Sequence, residues 1–310
     1  MRSLIIGYGS IGMRHSEVLR ELGSEVSVLS KRKLNSTKTF KTLDSALSDH
    51  NYNLVIIANN TNEHIPTLLD IRSNGFKGPV LVEKPLSDDI KNVPPELYKN
   101  TFVAYNMRFN PLLIKLKDAI KKDSNVISVH SYVGQYLPEW NKERDYRKTY
   151  SSKKNLGGGV IRDLSHELDF LSWIFGEWQD ITAIGGKFSN LEIDTDDIFS
   201  LMFTTQICPS IFVQMNYLDR IPKRNLIVKT NRHVYEIDFL KKTFIQDSTE
   251  ESMKFNRNHS YLMQSKSILN NDLQNVCSFE SGKRVLNLIS AAEQSAYSEE
   301  RKWIRNEENM

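Results

Sequence analysis

Asp163 and His166 stand three residues apart in the stretch Leu156-Gly157-Gly158-Gly159-Val160-Ile161-Arg162-Asp163-Leu164-Ser165-His166. A carboxylate and an imidazole at that spacing share one face if the segment is helical. An acid beside a histidine is a common way to hold a general base that works near neutral pH. Taken alone, the pattern is equally that of a glycine turn opening an amphipathic helix. Its meaning depends on what the remaining chain brings to it.

The N-terminus brings a candidate cofactor site. Residues 3–6 form a short, mostly apolar run, Gly7-Tyr8-Gly9-Ser10-Ile11-Gly12 follows at once, and Ile11, His15, Val18, Leu19 and Leu22 then recur at helical spacing up to Gly23. A second strand-like run covers residues 25–30, so the glycines lie inside a strand–helix–strand unit. In that setting the first glycine permits a tight turn, the second lets backbone approach a pyrophosphate, and the third lets helix and strand pack closely. The N–H groups of the helix start then face the phosphates. Gly7, Tyr8, Gly9, Ser10, Ile11 and Gly12 are the expected contacts.

The end of the second strand selects between nicotinamide cofactors, because an acid there would hold the ribose 2′-hydroxyl. This chain has Ser30-Lys31-Arg32 instead. A hydroxyl followed by two cations suits a 2′-phosphate, so NADP is expected, with NAD as the alternative.

Residues 53–58 form a strand-like run that is apolar throughout after Asn53, the pattern of a parallel strand covered on both faces. Ala58, Asn59, Asn60, Thr61 and His64 follow at its carboxyl end, where ligands sit in a doubly wound sheet. His64 also reads simply as the start of a helix. A strand over 79–82 leads into Glu83-Lys84-Pro85, which puts a lysine at the same edge, either solvated or catalytic. A further strand over 101–106 precedes Met107-Arg108-Phe109-Asn110-Pro111, and an amphipathic segment over 112–121 carries the chain away.

Four motifs in order now carry a resemblance: Gly7-x-Gly9-x-x-Gly12, Glu83-Lys84-Pro85, Tyr105-Asn106-x-Arg108-Phe109, and the glycine run with Asp163 and His166. Together they resemble the Gfo/Idh/MocA family, named for glucose-fructose oxidoreductase and inositol dehydrogenase, over nearly the whole chain. The resemblance implies an α/β fold: an N-terminal Rossmann domain with a doubly wound parallel sheet, and a C-terminal α+β domain with a large, mostly antiparallel sheet. One face of that sheet would floor the active site and the other would pair subunits into a homo-oligomer, a dimer or tetramer. Lys84 matches the family lysine between nicotinamide and substrate, His166 the histidine that takes the hydroxyl proton, and Asp163 the carboxylate assisting them. Glu83, Lys84, Asn106 and Arg108 join the expected cofactor contacts. Pro85 matches a position whose peptide bond is often cis in the family. One departure stands out: relatives similar to inositol dehydrogenase place the acid four residues before the histidine, where this chain has Arg162. The boundaries expected are 1–110 for the cofactor domain and 111–310 for the substrate and oligomerisation domain, the C-terminal helix packing back near the first.

Residues 126–134 alternate like a half-buried strand, and residues 135–154 then form a loop too long for a mere connector. It carries Trp140, Tyr146 and Tyr150 among Lys142, Arg144, Arg147, Lys148, Lys153 and Lys154, opposed by Glu139, Glu143 and Asp145. Aromatics with cations suit an anionic ligand such as a nucleotide sugar; a solvated lid would have the same composition. Tyr146, Arg147 and Tyr150 are taken as substrate contacts with Lys84, Asp163 and His166. Beyond the helix that ends at Gly176, strands are expected over 181–188, 198–205, 211–218, 225–229 and 234–238, and helices over 261–277 and 282–295.

Composition fits this picture. A net charge of +3 with interspersed acids gives no nucleic-acid footprint. The apolar run near Met1 stops at Gly7, no stretch approaches a membrane span, and Cys208 and Cys277 are the only cysteines, so a cytoplasmic protein is expected. His130, His233 and His259 show no ligand spacing, and no metal is expected. The expected activity is NADP-dependent hydride transfer between nicotinamide and a hydroxyl or carbonyl carbon of a sugar derivative, such as a nucleotide or amino sugar. The alternatives are a non-catalytic cofactor- or sugar-binding regulator, and an NAD-dependent hydrolase or lyase in which the hydride goes out and returns.

Overall fold

The computed structural model describes residues 1–32, 34, 37–49, 51–89, 99–123, 125–298 and 303–306. The chain divides into two compact units, residues 1–109 with 256–286 and residues 110–255 with 287–310.

In the first unit, β1 (Arg2–Ile6), β2 (Glu25–Leu29), β3 (Lys38–Phe40), β4 (Leu54–Ile57), β5 (Val80–Val82) and β6 (Thr101–Val103) run parallel in the order β3-β2-β1-β4-β5-β6. This is the doubly wound Rossmann order, with its reversal between β1 and β4. Leu54, Val55, Ile56 and Ile57 of β4 are fully buried, as a parallel strand covered on both faces requires. Helix α1 (Ser10–Glu21) buries Val18 and Leu19 and ends where Gly23 turns left-handed at φ 76°, its N–H returning to the Arg20 carbonyl and that of Ser24 to Leu19. α2 (Leu43–Asp49) follows β3, and α3 (His64–Ser73) follows β4. β6 stops at Val103, short of the expected strand end, and the chain tightens into a 3₁₀ turn over Asn106–Phe109. Residues 256–286 cluster here because α7 (His259–Leu269) packs on α1 and on that turn, while β15 (Cys277–Ser278) extends the sheet antiparallel to β6.

The second unit starts with α4 (Pro111–Ile120), capped by the Asn110 side chain, which accepts the Leu112 N–H at 3.0 Å, with Pro111 at the first helical position. Its nine-stranded sheet runs β14 (Thr249–Ser252), β13 (Thr243–Gln246), β12 (Val234–Asp238), β11 (Lys223–Thr230), β7 (Val126–Gly134), β10 (Ile211–Asn216), β9 (Ile198–Thr205), β8 (Trp178–Gly186) and β16 (Ile304–Arg305). Only β7 and β10 pair parallel among these neighbours. Alternation sets the two faces: Phe199, Leu201 and Phe203 of β9 are buried, and Ile198, Ser200 and Met202 between them are half-buried. Helices α5 (Val160–Asp163) and α6 (His166–Phe175) lie in this unit, and α8 (Phe279–Tyr297) contributes its residues from 287 onward. The architecture is the α/β class with a parallel sheet and a second, mostly antiparallel one, as the motifs implied. Among the described residues no helix is long and apolar enough to cross a membrane, and no group of three or more His, Cys, Asp or Glu could hold a metal ion.

Candidate functional site

The candidate residues fall into one set in each unit. In the first unit they gather at the carboxyl edge of the parallel sheet, because Gly7 follows β1, Ser30 follows β2, Ala58 follows β4, Glu83 and Lys84 follow β5, and Asn106 and Arg108 follow β6. The three glycines show three separate needs. Gly7 has φ 93°, and a Cβ there would lie 2.5 Å from the Ala58 carbonyl oxygen, so the turn after β1 and the end of β4 meet at the switch point. A Cβ on Gly12 would lie 2.2 Å from the Gly7 oxygen, which is the close packing of helix on strand. A Cβ on Gly9 would meet nothing within 4 Å. That open space at the start of α1 is where a pyrophosphate fits, so the residues present suit a dinucleotide.

Ser30-Lys31-Arg32 leaves β2 as a compact turn in which the Ser30 hydroxyl accepts the Arg32 N–H at 3.1 Å. Lys41 donates its Nζ to the carbonyls of Ser30, Lys31 and Arg32 at 3.1, 2.8 and 3.5 Å, which adds a third cation to the turn. Sequence reasoning did not single out Lys41, since its role depends on β3 returning beside β2.

The Lys84–Pro85 peptide bond is cis. The turn it belongs to is held on both flanks. On one, Glu83 takes a hydrogen bond from His15 of α1 at 2.7 Å and another from the Lys84 N–H at 3.0 Å. On the other, His64 Nδ1 donates to the Pro85 carbonyl at 2.9 Å. Burial pushes the His64 imidazole below its ordinary value against the opposing pull of that carbonyl and of Glu83. His64, expected among the cofactor contacts, is thus buried and its Nδ1 braces the lysine turn. Asn59 ties to Thr67 of α3 at 2.8 Å, Asn60 precedes a 3₁₀ turn over Thr61–Glu63, and Thr61, Asn106 and Arg108 are buried. Tyr8 and Ile11 pack against the core of this unit, and Ser10 is exposed.

In the second unit the single helix expected across Asp163 and His166 is interrupted. Asp163 ends α5 and His166 begins α6, because the backbone tightens between them: the Ser165 N–H reaches Arg162 and the Glu167 N–H reaches Leu164. Gly159 enters α5 at φ 123°, and the Asp196 carboxylate accepts the Ile161 N–H at 3.0 Å, capping the segment that carries Asp163. Burial raises the Asp196 carboxyl to about 6, although that hydrogen bond and Arg162 oppose the rise. Asp163 is 5% exposed and accepts a 2.6 Å hydrogen bond from the Tyr217 hydroxyl at the end of β10. Tyr217 is fully buried, and burial together with the Asp163 charge pushes its hydroxyl well above the ordinary value, so it remains a donor.

Arg162 occupies the position four before His166, and its guanidinium forms a two-pronged pair with Glu293 of α8, the Nη2–Oε2 contact at 3.0 Å. That pairing gives the cation a structural use. On α6, Glu167 is fully buried, accepting from Ser131 of β7 at 2.9 Å and pairing with Arg224 of β11 at 2.6 Å, which latches the helix to the sheet.

The long loop over 135–154 is built from successive 3₁₀ turns. Thr195 donates to the Ser151 carbonyl at 2.9 Å, and a Cβ on Gly158 would lie 2.1 Å from the Tyr150 oxygen, so the loop is seated on the glycine run. Arg147 spends its guanidinium on Asp145 at 2.9 and 3.0 Å and leans to Glu192 at 3.4 Å. The Tyr146 hydroxyl accepts the Glu192 N–H at 3.3 Å, and Tyr150 is 40% exposed. Trp140 meets Tyr217 edge-on at 5.2 Å, which links the loop to the tyrosine that holds Asp163.

A Rossmann sheet with a glycine turn at its switch point, followed by an antiparallel sheet unit bearing an acid and a histidine, is the architecture of two-domain dinucleotide-binding proteins. Residues 117–221, which include Asp163, His166 and Tyr217, match the GFO/IDH/MocA C-terminal domain, the family that the sequence motifs resemble. The rhizopine catabolism protein MocA of Rhizobium meliloti is 27% identical over 191 residues, a match spanning 56% of this chain and 56% of that protein, a little over half the length of each. Among solved structures, GenD2 from gentamicin A biosynthesis, in complex with NAD, superposes with a TM-score of 0.82 at 17% identity, covering 99% of this chain and 96% of that one. The WlbA dehydrogenase of Bordetella pertussis, in complex with NADH and UDP-GlcNAcA, gives a TM-score of 0.80 at 16% identity, covering 98% of both chains. At such identities the likeness establishes the fold.

Proposed function

We propose that this protein is a nicotinamide-dependent oxidoreductase acting on a hydroxyl or carbonyl carbon of a sugar derivative, with NADP preferred to NAD and a nucleotide or amino sugar as the substrate class. The observation that carries the reading is the glycine turn: Gly9 opens to free space at the start of α1, at the edge where Lys84 leaves β5. Two of the similar structures, a dehydrogenase in complex with NADH and UDP-GlcNAcA and a gentamicin-biosynthesis protein in complex with NAD, support the substrate class and a nicotinamide cofactor. Preference for NADP rests on this chain's own residues. Lys31, Arg32 and Lys41 converge at the end of β2, and among Ser30, Lys31 and Arg32 no acid is present to hold a 2′-hydroxyl.

The nicotinamide, when bound, supplies the hydride acceptor or donor. His166 takes the proton of the substrate hydroxyl during oxidation and returns it during reduction. Lys84 donates a hydrogen bond to the same oxygen and stabilises the negative charge that develops there. Asp163, fixed by Tyr217, supports the pair as a carboxylate. Tyr146, Arg147 and Tyr150 belong to the substrate loop, with Arg147 oriented by Asp145. The outward face of the nine-stranded sheet, where Ile184 and Phe212 are exposed and a hollow of about 330 Å³ is lined by Ile184, Phe188, Ile198 and Leu218, is the proposed pairing face of a homo-oligomer.

Titration with NADPH and NADH, followed by a screen of sugars and nucleotide sugars at the absorbance of reduced nicotinamide, tests this reading. Tighter binding of NADPH and turnover with a sugar derivative are expected. Tighter NADH binding would overturn the cofactor preference, and bound cofactor that no sugar oxidises or reduces would overturn the activity.

A further inference from the structure

His15 and Glu83 lie 68 residues apart in sequence, yet they form a buried pair with His15 Nε2 2.7 Å from Glu83 Oε1 and side-chain exposures of 0% and 9%. The second Glu83 oxygen accepts the Lys84 backbone N–H at 3.0 Å. Burial would raise the Glu83 carboxyl, but the His15 hydrogen bond and the His15 and Lys84 charges outweigh it and hold the group below the usual carboxylate range. Glu83 therefore accepts at both oxygens, which requires a proton on His15 Nε2. The imidazole is held from behind as well: its ring meets Tyr261 of α7 edge-on at 5.6 Å, and Arg14 sits over that tyrosine at 5.2 Å.

A buried polar pair is an expensive way to join a helix to a strand end, since apolar groups of the same volume often serve stability as well or better. What the pair adds is direction. It runs from α1, whose first turn opens at Gly9, through one imidazole and one carboxylate to the backbone of Lys84. His64 holds the following carbonyl from α3.

We infer that His15 and Glu83 are positioning residues that fix the Lys84 backbone to the helix carrying the glycine turn, so that the lysine and the phosphate-binding turn keep one geometry. The inference rests on the role proposed for Lys84. His15→Leu removes the donor, Glu83→Ala removes the acceptor, and His15→Gln restores an N–H at nearly the same place.

The test is competitive acetylation with acetic anhydride, the Lys84-bearing peptide quantified by mass spectrometry against exposed Lys31, with thermal unfolding measured alongside. Relative labelling of Lys84 should change about threefold or more in His15→Leu and Glu83→Ala and return to within about twofold of wild type in His15→Gln. Unchanged labelling in both truncations would overturn the inference. So would failure of His15→Gln, while folded, to restore it. Should the truncations not fold, ¹⁵N spectra of the wild-type imidazole decide: a protonated Nε2 is expected, and a bare Nε2 would overturn the pair. None of these measurements needs turnover. A wild type that oxidises no sugar would remove the catalytic role of Lys84 while the labelling result stood.

Discussion

The Tyr217 hydroxyl donates to the Asp163 carboxylate at 2.6 Å, inside a unit where both side chains are buried. Asp163 therefore works as an oriented acceptor, because a hydroxyl pushed well above its ordinary value does not give up its proton to it. Tyr217→Phe keeps the ring against Trp140 and deletes only the donor. Turnover is expected to fall roughly tenfold, the worth of one hydrogen bond to a buried charge, with NADPH affinity unchanged. Steady-state kinetics beside a binding titration checks this; full turnover in a folded variant would contradict it.

Cofactor preference should follow the cations at the end of β2. Lys41→Met removes a charge and releases the carbonyls of Ser30, Lys31 and Arg32. NADPH binding is expected to weaken about fivefold to tenfold, with NADH binding nearly unchanged. The NADPH effect should shrink as salt rises, because these charges lie in solvent. Equal losses for both cofactors would assign Lys41 a purely structural part.

Asp196 gives a pH signature. Its folded value of about 6 lies above the ordinary 3.8, so the folded state binds the proton more tightly. The stability this group contributes is complete below the ordinary value and is lost as pH rises through about 6. Asp196→Asn keeps an oxygen for the Ile161 N–H and removes the titration. The variant's stability relative to wild type should therefore rise between about pH 4 and pH 7, by roughly 3 kcal/mol if the full shift is expressed. Denaturant unfolding across that range measures it, and a flat difference would mean that Asp196 titrates normally.

Local pattern made the first sheet legible. Gly7, Gly9 and Gly12 sit in a unit only a few tens of residues long, and the unbroken apolar run of β4 needs no distant information. β3 and the β13–β14 hairpin escaped notice because they carry little such pattern; all four residues of β14 are exposed. The break between Asp163 and His166 was hidden for the opposite reason, since a spacing of three suits a continuous helix as well as two abutting ones. Tyr217, His15 and Arg162 gain their meaning from contacts 54, 68 and 131 residues away, at distances no spacing rule reaches. The cation-rich loop was visible as composition, but composition could not say that Arg147 is committed to Asp145 and Glu192.

The most direct test is hydride transfer by Lys84→Ala and His166→Ala, each compared with wild type under saturating NADPH or NADP and a turned-over sugar derivative. Both variants should bind cofactor within about threefold of wild type while turnover falls by two or more orders of magnitude, roughly the contribution of a positioned acid–base group or oxyanion donor. Wild-type turnover in either variant would contradict the proposed chemistry.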